Sequence, residues 1–291
     1  MIANHNVLRL ARKVILTISR GGAIRTPGKL MRKMFIKRDC FVEIDDFDGQ
    51  YKLILNLREH MQSRIFWLGY YNNDIVPLLD RLLKPGMTVI DVGANIGEIS
   101  LVAARRVGCN GNVIAFEPLT RLADELEHNV VRNSLHWVQV VRAGLADFTG
   151  AVPIYLAHKE FNDGTQHDGL GTLYPTEERG LAIETVQITC LDTIAAQLNL
   201  ESVDLIKIDI EGAELPCLKG SSETIRRYLP FVIIEVQAQT AGAAGYEPAD
   251  LYSFFEAFGY KFHRIGRGGV LAEIEQDAFQ NVLCIPPGRK A

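Results

Sequence analysis

The stretch DLIKIDIEGAEL, residues 204–215, sets Asp209, Glu211 and Glu214 close together at the end of an apolar run with the character of a buried strand. Packing gives no reason for three acids at a strand tip, whereas chemistry and helix capping both do. A carboxylate beside a hydroxyl can take its proton as the oxygen attacks an electrophile. A carboxylate at a helix start meets the positive end of the helix dipole. Asp209 and Glu211 read as the chemical pair, Glu214 as the cap. Lys207, on the otherwise apolar strand, must meet a carboxylate, because an unpaired buried ammonium is costly. Glu235 ends the next apolar run, FVIIEV, where it is either an ion-pair member or a substrate contact. His158 and His167 can serve as base if their long polar loop closes over the site; otherwise they are solvated loop residues.

A ligand for such chemistry needs a cradle. VIDVGANIGEIS, residues 89–100, opens on four residues fit for a buried strand, turns on Gly93 and Gly97, and continues into helix formers. A turn of this kind leads into a helix N-terminus whose free N–H groups attract an anion. The following run, NVIAF, ends at Glu117, about 20 residues beyond Gly97, where an acidic side chain accepts hydrogen bonds from both hydroxyls of a ribose. A dinucleotide would want G-x-G-x-x-G, so that its pyrophosphate can approach the backbone. The turn here is Gly93-Ala94-Asn95-Ile96-Gly97, and the missing middle glycine argues against NAD. A cofactor with a ribose, no phosphate, a carboxylate for the helix and a cation for Asp91 fits better, and S-adenosylmethionine has those parts. Glycines also serve close helix–strand packing, so the reading rests on Asp91, Asn95 and Glu117 lying in register with the turn.

Positioning these residues takes a particular set of elements. Strands and amphipathic helices alternate from MTVIDV through EISLVAARRV, NVIAF, LTRLADELEHNVVRN and WVQVVRA, then again from DLIKIDI through FVIIEV, PADLYSFFEAF, YKFHRI and NVLCIP. Continuous apolar strands between such helices predict a parallel sheet covered on both faces, a doubly wound, Rossmann-like α/β fold over residues 73–291. Ahead of it, FVEIDDFDGQYKLILNL turns at Asp48-Gly49 and predicts a β-hairpin flap within 41–72. AVPIYLA (151–157) and ETVQITC (184–190) predict a strand pair bracketing a lid-like loop over 158–183.

The conjunction of GAN-x-G with K-x-D-x-E-G-x-E resembles the FkbM-type class I S-adenosylmethionine-dependent methyltransferases. The similarity runs through VIDVGANIGEIS, VIAFEP with Glu117, AGLAD with Asp147, LDTI at 191–194, DLIKIDIEGAEL and FVIIEV, about residues 65–286. It implies that Asp91, Gly93, Ala94, Asn95 and Gly97 surround the aminoacyl part of the cofactor, that Glu117 holds the ribose, and that Ala143 and Asp147 lie near the adenine. AGLAD stands where many relatives read A-L-G-D or A-L-S-D. The resemblance also implies methyl transfer to a hydroxyl of a sugar, glycan or glycosylated small molecule, with S-adenosylhomocysteine as product. In relatives the segment before the core often lies near the cofactor pocket, which brings in Tyr71; core packing is the plainer reading of the aromatics there.

The 291 residues, 47% hydrophobic and 23% charged, describe a folded, water-soluble chain. Residues 1–38 hold ten Lys/Arg and no Asp/Glu, which leaves 21 basic against 35 acidic residues in the remainder. In this leader, residues 1–40 in full, Val7, Ala11, Val14 and Ile18 fall at helical spacing, with Arg9, Arg12, Lys13 and Arg20 mostly around another face. That pattern predicts a basic amphipathic helix that either contacts anionic membrane peripherally or packs on the acidic body. No apolar run reaches the roughly 20 residues of a bilayer span, and VILTI is short for a secretory segment, so a cytoplasmic location is expected. The five scattered cysteines form no C-x-x-C pair, so neither a disulfide framework nor a zinc site is indicated, and the sequence leaves a metal requirement open. An acidic body and Asp209-Ile-Glu-Gly, in place of an Asn/Asp-Pro-Pro-aromatic motif, disfavour a nucleic-acid methyltransferase. A non-catalytic S-adenosylmethionine-binding scaffold is the other alternative, against which the intact Asp91, Glu117, Asp209 and Glu211 weigh.

Overall fold

The computed structural model describes residues 5–20, 39–156, 171–175, 182–274 and 279–291. They fall into two compact units, one within Met1–Asn73 and one within Asp74–Ala157 and Gly169–Ala291.

The first unit contains helix α1 (His5–Arg20), strands β1 (Phe41–Phe47) and β2 (Tyr51–Asn56), and helix α2 (His60–Leu68). The expected hairpin forms, pairing antiparallel from Phe41↔Asn56 to Phe47↔Tyr51. Asp48 and Gly49 take φ of +48° and +87°, the backbone a tight turn demands. Alternation along the strands buries Val42, Ile44, Leu53 and Leu55 on one face.

Helix α1 does form, and the apolar stripe read from its spacing is not the face it buries. Leu8, Arg12 and Ile15 are buried, while Val7 and Val14 stay exposed. The reason is Arg12. Its guanidinium donates to Asp46 Oδ1 at 3.0 Å, to the Ile65 carbonyl at 2.9 Å and to the Phe66 carbonyl. A planar cation with five donors satisfies the open end of α2 and its ion-pair partner together, which no aliphatic side chain could do. Burial pulls the Arg12 pKa down, and Asp46 opposes that pull. Polar satisfaction, rather than the aliphatic stripe, fixes the rotation of this helix.

The second unit holds the sheet that positions the site. Chain order is α3 (Ile75–Leu82), β3 (Thr88–Val92), α4 (Glu98–Val107), β4 (Asn112–Phe116), α5 (Thr120–Arg132), β5 (Val138–Val141), β6 (Gly144–Leu145), β7 (Gly150–Leu156), β8 (Gly171–Thr172) and β9 (Ala182–Thr189). There follow α6 (Leu191–Gln197), β10 (Leu205–Ile208), α7 (Glu214–Lys219), α8 (Ser222–Tyr228), β11 (Phe231–Val236), α9 (Ala238–Ala243), α10 (Pro248–Glu256), β12 (Lys261–Ile265), β13 (Leu271–Ala272) and β14 (Gln280–Ile285).

Among the described residues the main sheet has eight strands in the order β13-β12-β14-β11-β10-β3-β4-β5. From β11 to β5 all pairings are parallel, and β3 and β10 are buried along their whole length. The expectation of a wholly parallel sheet needs correction: β14 runs antiparallel between β11 and β12, and β13 adds an antiparallel edge. Apolar content alone does not encode strand direction, so the C-terminal strands could not be told from parallel ones by their pattern. A smaller sheet, β6-β9-β7-β8, stands apart, with β7 and β9 paired as expected and running antiparallel.

The chain winds outward from β3 through β4 to β5, then returns to place β10 on the other side of β3. That reversal is the topological switch point, where the loops after neighbouring strands diverge and open a crevice. Register sets Lys207 beside Asp91 and Ile208 beside both Val92 and Ile234. Gly93, Glu117, Asp209 and Glu235 therefore all stand at or just beyond the same edge of the sheet.

Candidate active site

The glycines of the 93–97 turn have steric duties. Gly93 has φ +74°, and a Cβ there would come within 2.1 Å of the Asp209 carbonyl oxygen; at Gly97, φ +96°, it would meet Leu126 Cδ1 at 2.4 Å. The first keeps the tips of β3 and β10 close, the second seats α5. The amides of the turn are engaged internally. Gly93 and Ala94 donate to the Phe116 carbonyl, Gly97 donates to Ala94, Asn95 donates to Glu117, and Ile96 donates to the Asn95 side chain. Asn95 itself sits at φ +52°, a region its short polar side chain tolerates.

Asp91 is fully buried, and its Oδ2 accepts the Ser100 hydroxyl at 2.5 Å, at the first turn of α4. No N-cap side chain serves that helix, and Asp91 joins Glu98 of its first turn in meeting the positive end with negative charge. The sequence alone left that place to a ligand's anion. Asp91 Oδ1 has no hydrogen-bond partner among the described residues, and the Lys207 ammonium lies 3.8 Å away. Burial raises the Asp91 pKa, with Lys207 and Ser100 acting the other way.

Glu117 is 4% exposed and ties the tip of β4 to the turn. Its Oε2 accepts the Asn95 amide at 2.8 Å and its Oε1 the Leu119 amide at 3.0 Å. Burial pushes its pKa up to about 7 in spite of those two hydrogen bonds. Of the two residues implied near an adenine, Ala143 is buried just past β5, next to Gly144, which packs against Pro118. Asp147 is exposed and lies against Gly220 between α7 and α8.

The acids after β10 and β11 separate by role. Glu214 accepts the Gly212 and Ile210 amides and the Tyr246 hydroxyl at 2.8 Å, so it is the cap of its turn. Asp209, Glu211 and Glu235 each offer an oxygen, and these oxygens lie within 4.8 Å of one another. Glu211 holds a positive φ of +52°, followed by Gly212 at +107°, and its carbonyl accepts the Thr172 hydroxyl at 2.9 Å. Burial, then Asp209 and Glu211, drives the Glu235 pKa well above the usual carboxylate range. For Lys207, burial works to lower the pKa, but Asp209 and Asp91 outweigh it and the net shift is upward. The ammonium reaches the Gly93 carbonyl at 3.1 Å and Asp209 at 3.5 Å, linking the turn to the acids. Three close carboxylates can take or share a proton, or hold a divalent cation.

Tyr71 stands in the first unit, with its ring edge-on to His60 and beneath the Arg64 guanidinium. His158 and His167 lie outside the described residues. Sequence reasoning missed Thr172 and Tyr174, whose segment lies against the Glu211-Gly212 turn. Burial, then Asp147 and Glu214, raises the Tyr174 pKa. Tyr246, the partner of Glu214, was missed as well. None of the three belongs to a periodic pattern that would have marked it.

A family model described as the Methyltransferase FkbM domain matches residues 91–262. The AMB antimetabolite synthetase AmbE of Pseudomonas aeruginosa is 28% identical over 236 residues, which cover 70% of this chain and 11% of that protein. The hexuronic acid methyltransferase AglP of Haloferax volcanii is 27% identical over 178 residues, covering 61% of this chain and 65% of that one. The chain thus spans less than two thirds of the length of either relative. A crystal structure of methyltransferase FkbM from Methylobacillus flagellatus aligns with a TM-score of 0.45 at 14% identity, over 89% of this chain and 58% of that chain.

Proposed function

Because the chain belongs to the FkbM methyltransferase family, we propose that it transfers the methyl group of S-adenosylmethionine to a hydroxyl oxygen of a sugar or sugar-bearing small molecule. The observation that carries this reading is the convergence of Asp209, Glu211 and Glu235 at the tips of β10 and β11, beside the Gly93 turn.

The residues present fit the cofactor. Asp91 Oδ1 is a buried acceptor without a hydrogen-bond partner among the described residues, suited to an ammonium. Each Glu117 oxygen accepts one backbone amide and keeps a second lone pair, enough for the two hydroxyls of a ribose. S-adenosylmethionine, when bound, supplies an electrophilic methyl on a sulfonium. With its amides engaged, the turn contributes the spacing of the strand tips rather than hydrogen bonds of its own.

In-line displacement leaves the enzyme two tasks: fixing the acceptor oxygen and removing its proton as the bond forms. Asp209 is the proposed base, steered by the Lys207 ammonium at 3.5 Å. Glu211 and Glu235 line the approach and accept from neighbouring sugar hydroxyls. Acids gathered this closely disfavour a further carboxylate beside them, as the upward shift of Glu235 indicates, which favours a neutral sugar over an acidic one.

Incubation of nucleotide sugars, glycolipids and oligosaccharides with radiolabelled methyl donor tests this function. The expected result is label on a neutral sugar in a form resistant to mild alkali, as a methyl ether is. Label lost under mild alkali would mark an ester on an acidic sugar and contradict the proposal, and so would label on nucleic acid alone.

A further inference from the structure

Helix α1 has two apolar faces and only one of them is covered. Leu8 and Ile15 turn inward with Arg12, while Val7, Leu10 and Val14 are 62%, 64% and 51% exposed. Their spacing of three and four residues puts them on a single stripe, since side chains so spaced stack along one side of a helix. Exposed Lys13 and partly exposed Arg9 flank that stripe. Arg9 also donates to the Glu43 carbonyl at 2.7 Å, a second tether to the hairpin beyond Arg12. The rotation of the helix is therefore fixed, and the stripe is held outward.

Scattered exposed aliphatics are ordinary, but a continuous stripe on a pinned helix marks an interaction surface. Charge selects the partner. The segment that carries the stripe, residues 1–38, has ten Lys/Arg and no Asp/Glu, so its charge is of one sign. A second copy of this chain would bring like charge against like, which disfavours self-association through this face. An anionic bilayer offers both complements, a negative surface for the lysines and arginines and an acyl boundary for the aliphatics. No helix among the described residues is long and apolar enough to cross a membrane.

We propose that the Val7–Leu10–Val14 face of α1 docks the protein peripherally on an anionic lipid surface, with Lys13 and Arg9 toward the headgroups. The face shares Val7 and Val14 with the stripe that the spacing suggested and adds Leu10. It is defined by what the Arg12 contacts leave outside. This inference is independent of the proposed methyl transfer.

Co-sedimentation of the full chain with vesicles tests it. Wild type should sediment with vesicles of equal parts phosphatidylcholine and phosphatidylglycerol, and should remain in the supernatant with phosphatidylcholine alone or at high salt. Leu10→Ser with Val14→Ser should lose about tenfold or more of that binding, with an unchanged unfolding temperature because both residues are exposed. Lys13→Glu should weaken it through charge alone. Val131→Ser, at an equally exposed aliphatic of the second unit, should bind as wild type does. Undiminished sedimentation of the double serine variant would overturn the proposal. So would a wild-type dimer in analytical ultracentrifugation that the same two substitutions convert to monomer.

Discussion

Asp209→Asn should lower the turnover rate by about 10²–10⁴-fold, the range typical for a positioned general base, while the affinity for S-adenosylmethionine stays within a few-fold. The amide keeps the shape of the carboxylate and an oxygen that can still accept from the Lys207 ammonium, now 3.5 Å from Asp209. It cannot take a proton. Lys207 keeps its contacts to Asp91 and to the Gly93 carbonyl, so the tips of β3 and β10 remain joined and the fold should survive. Single-turnover kinetics with saturating cofactor, paired with calorimetric affinity, separates chemistry from binding. Wild-type turnover in the variant would remove Asp209 from the proton transfer. An equal loss in binding and turnover would make it a structural member of the Lys207 network instead.

Glu117→Ala should be the more damaging change to cofactor binding. Two ribose hydroxyls would lose their acceptor, at roughly 1.5–3 kcal/mol for each hydrogen bond to a charged group. From the sequence alone, the same substitution looks harmless to folding. The structure argues otherwise, because the carboxylate accepts the Asn95 and Leu119 amides, and leaving two buried donors unmet costs about 1–3 kcal/mol each. Thermal unfolding should therefore fall along with affinity, and Glu117→Gln, which keeps one of the two acceptor oxygens, should lose less of each.

The pH dependence has a definite sign. Glu117 titrates near 7 in the folded chain against an ordinary value of 4.5. The native state thus binds this proton more tightly than the unfolded chain does. Its contribution to stability is complete below about 4.5, falls as pH rises toward about 7, and is level above that. Ribose hydroxyls donate to the ionised form, so cofactor affinity should rise through the same upper region. Glu117→Gln should flatten both trends. Affinity unchanged in Glu117→Ala would take this residue away from the ribose.

Much of this architecture is legible in the sequence because it rests on periodicity. β3, β4, β10 and β11 are short runs buried on both faces, and α4 runs from Glu98 to Val107, the span its pattern predicts. The gathering of Asp91, Gly93, Glu117, Asp209 and Glu235 at one edge follows from strand order and the rule that loops diverge where that order reverses.

What stayed hidden was set by particular pairings. The antiparallel course of β14 depends on where the chain returns after α10 and leaves no trace in composition. The face that α1 buries is chosen by the Arg12 contacts to Asp46 and to the end of α2, residues far away in the chain. Asp91 looked like a ligand for a cation and also accepts from Ser100 at the head of α4. Glu117 looked free to bind and is also an acceptor for two amides. In both cases a side chain suited to a ligand has a structural task that only the folded chain reveals. Thr172 and Tyr174 come from a polar stretch whose pattern carries no signal of what it packs against.

The crevice beside Gly93 is proposed to take a sulfonium nucleoside through Asp91 and Glu117. Isothermal titration calorimetry of the purified chain, with S-adenosylmethionine and NADH in separate runs, tests it most directly. S-adenosylmethionine should give saturable heat at a single site, and NADH none. Saturable heat from NADH with none from S-adenosylmethionine would contradict it.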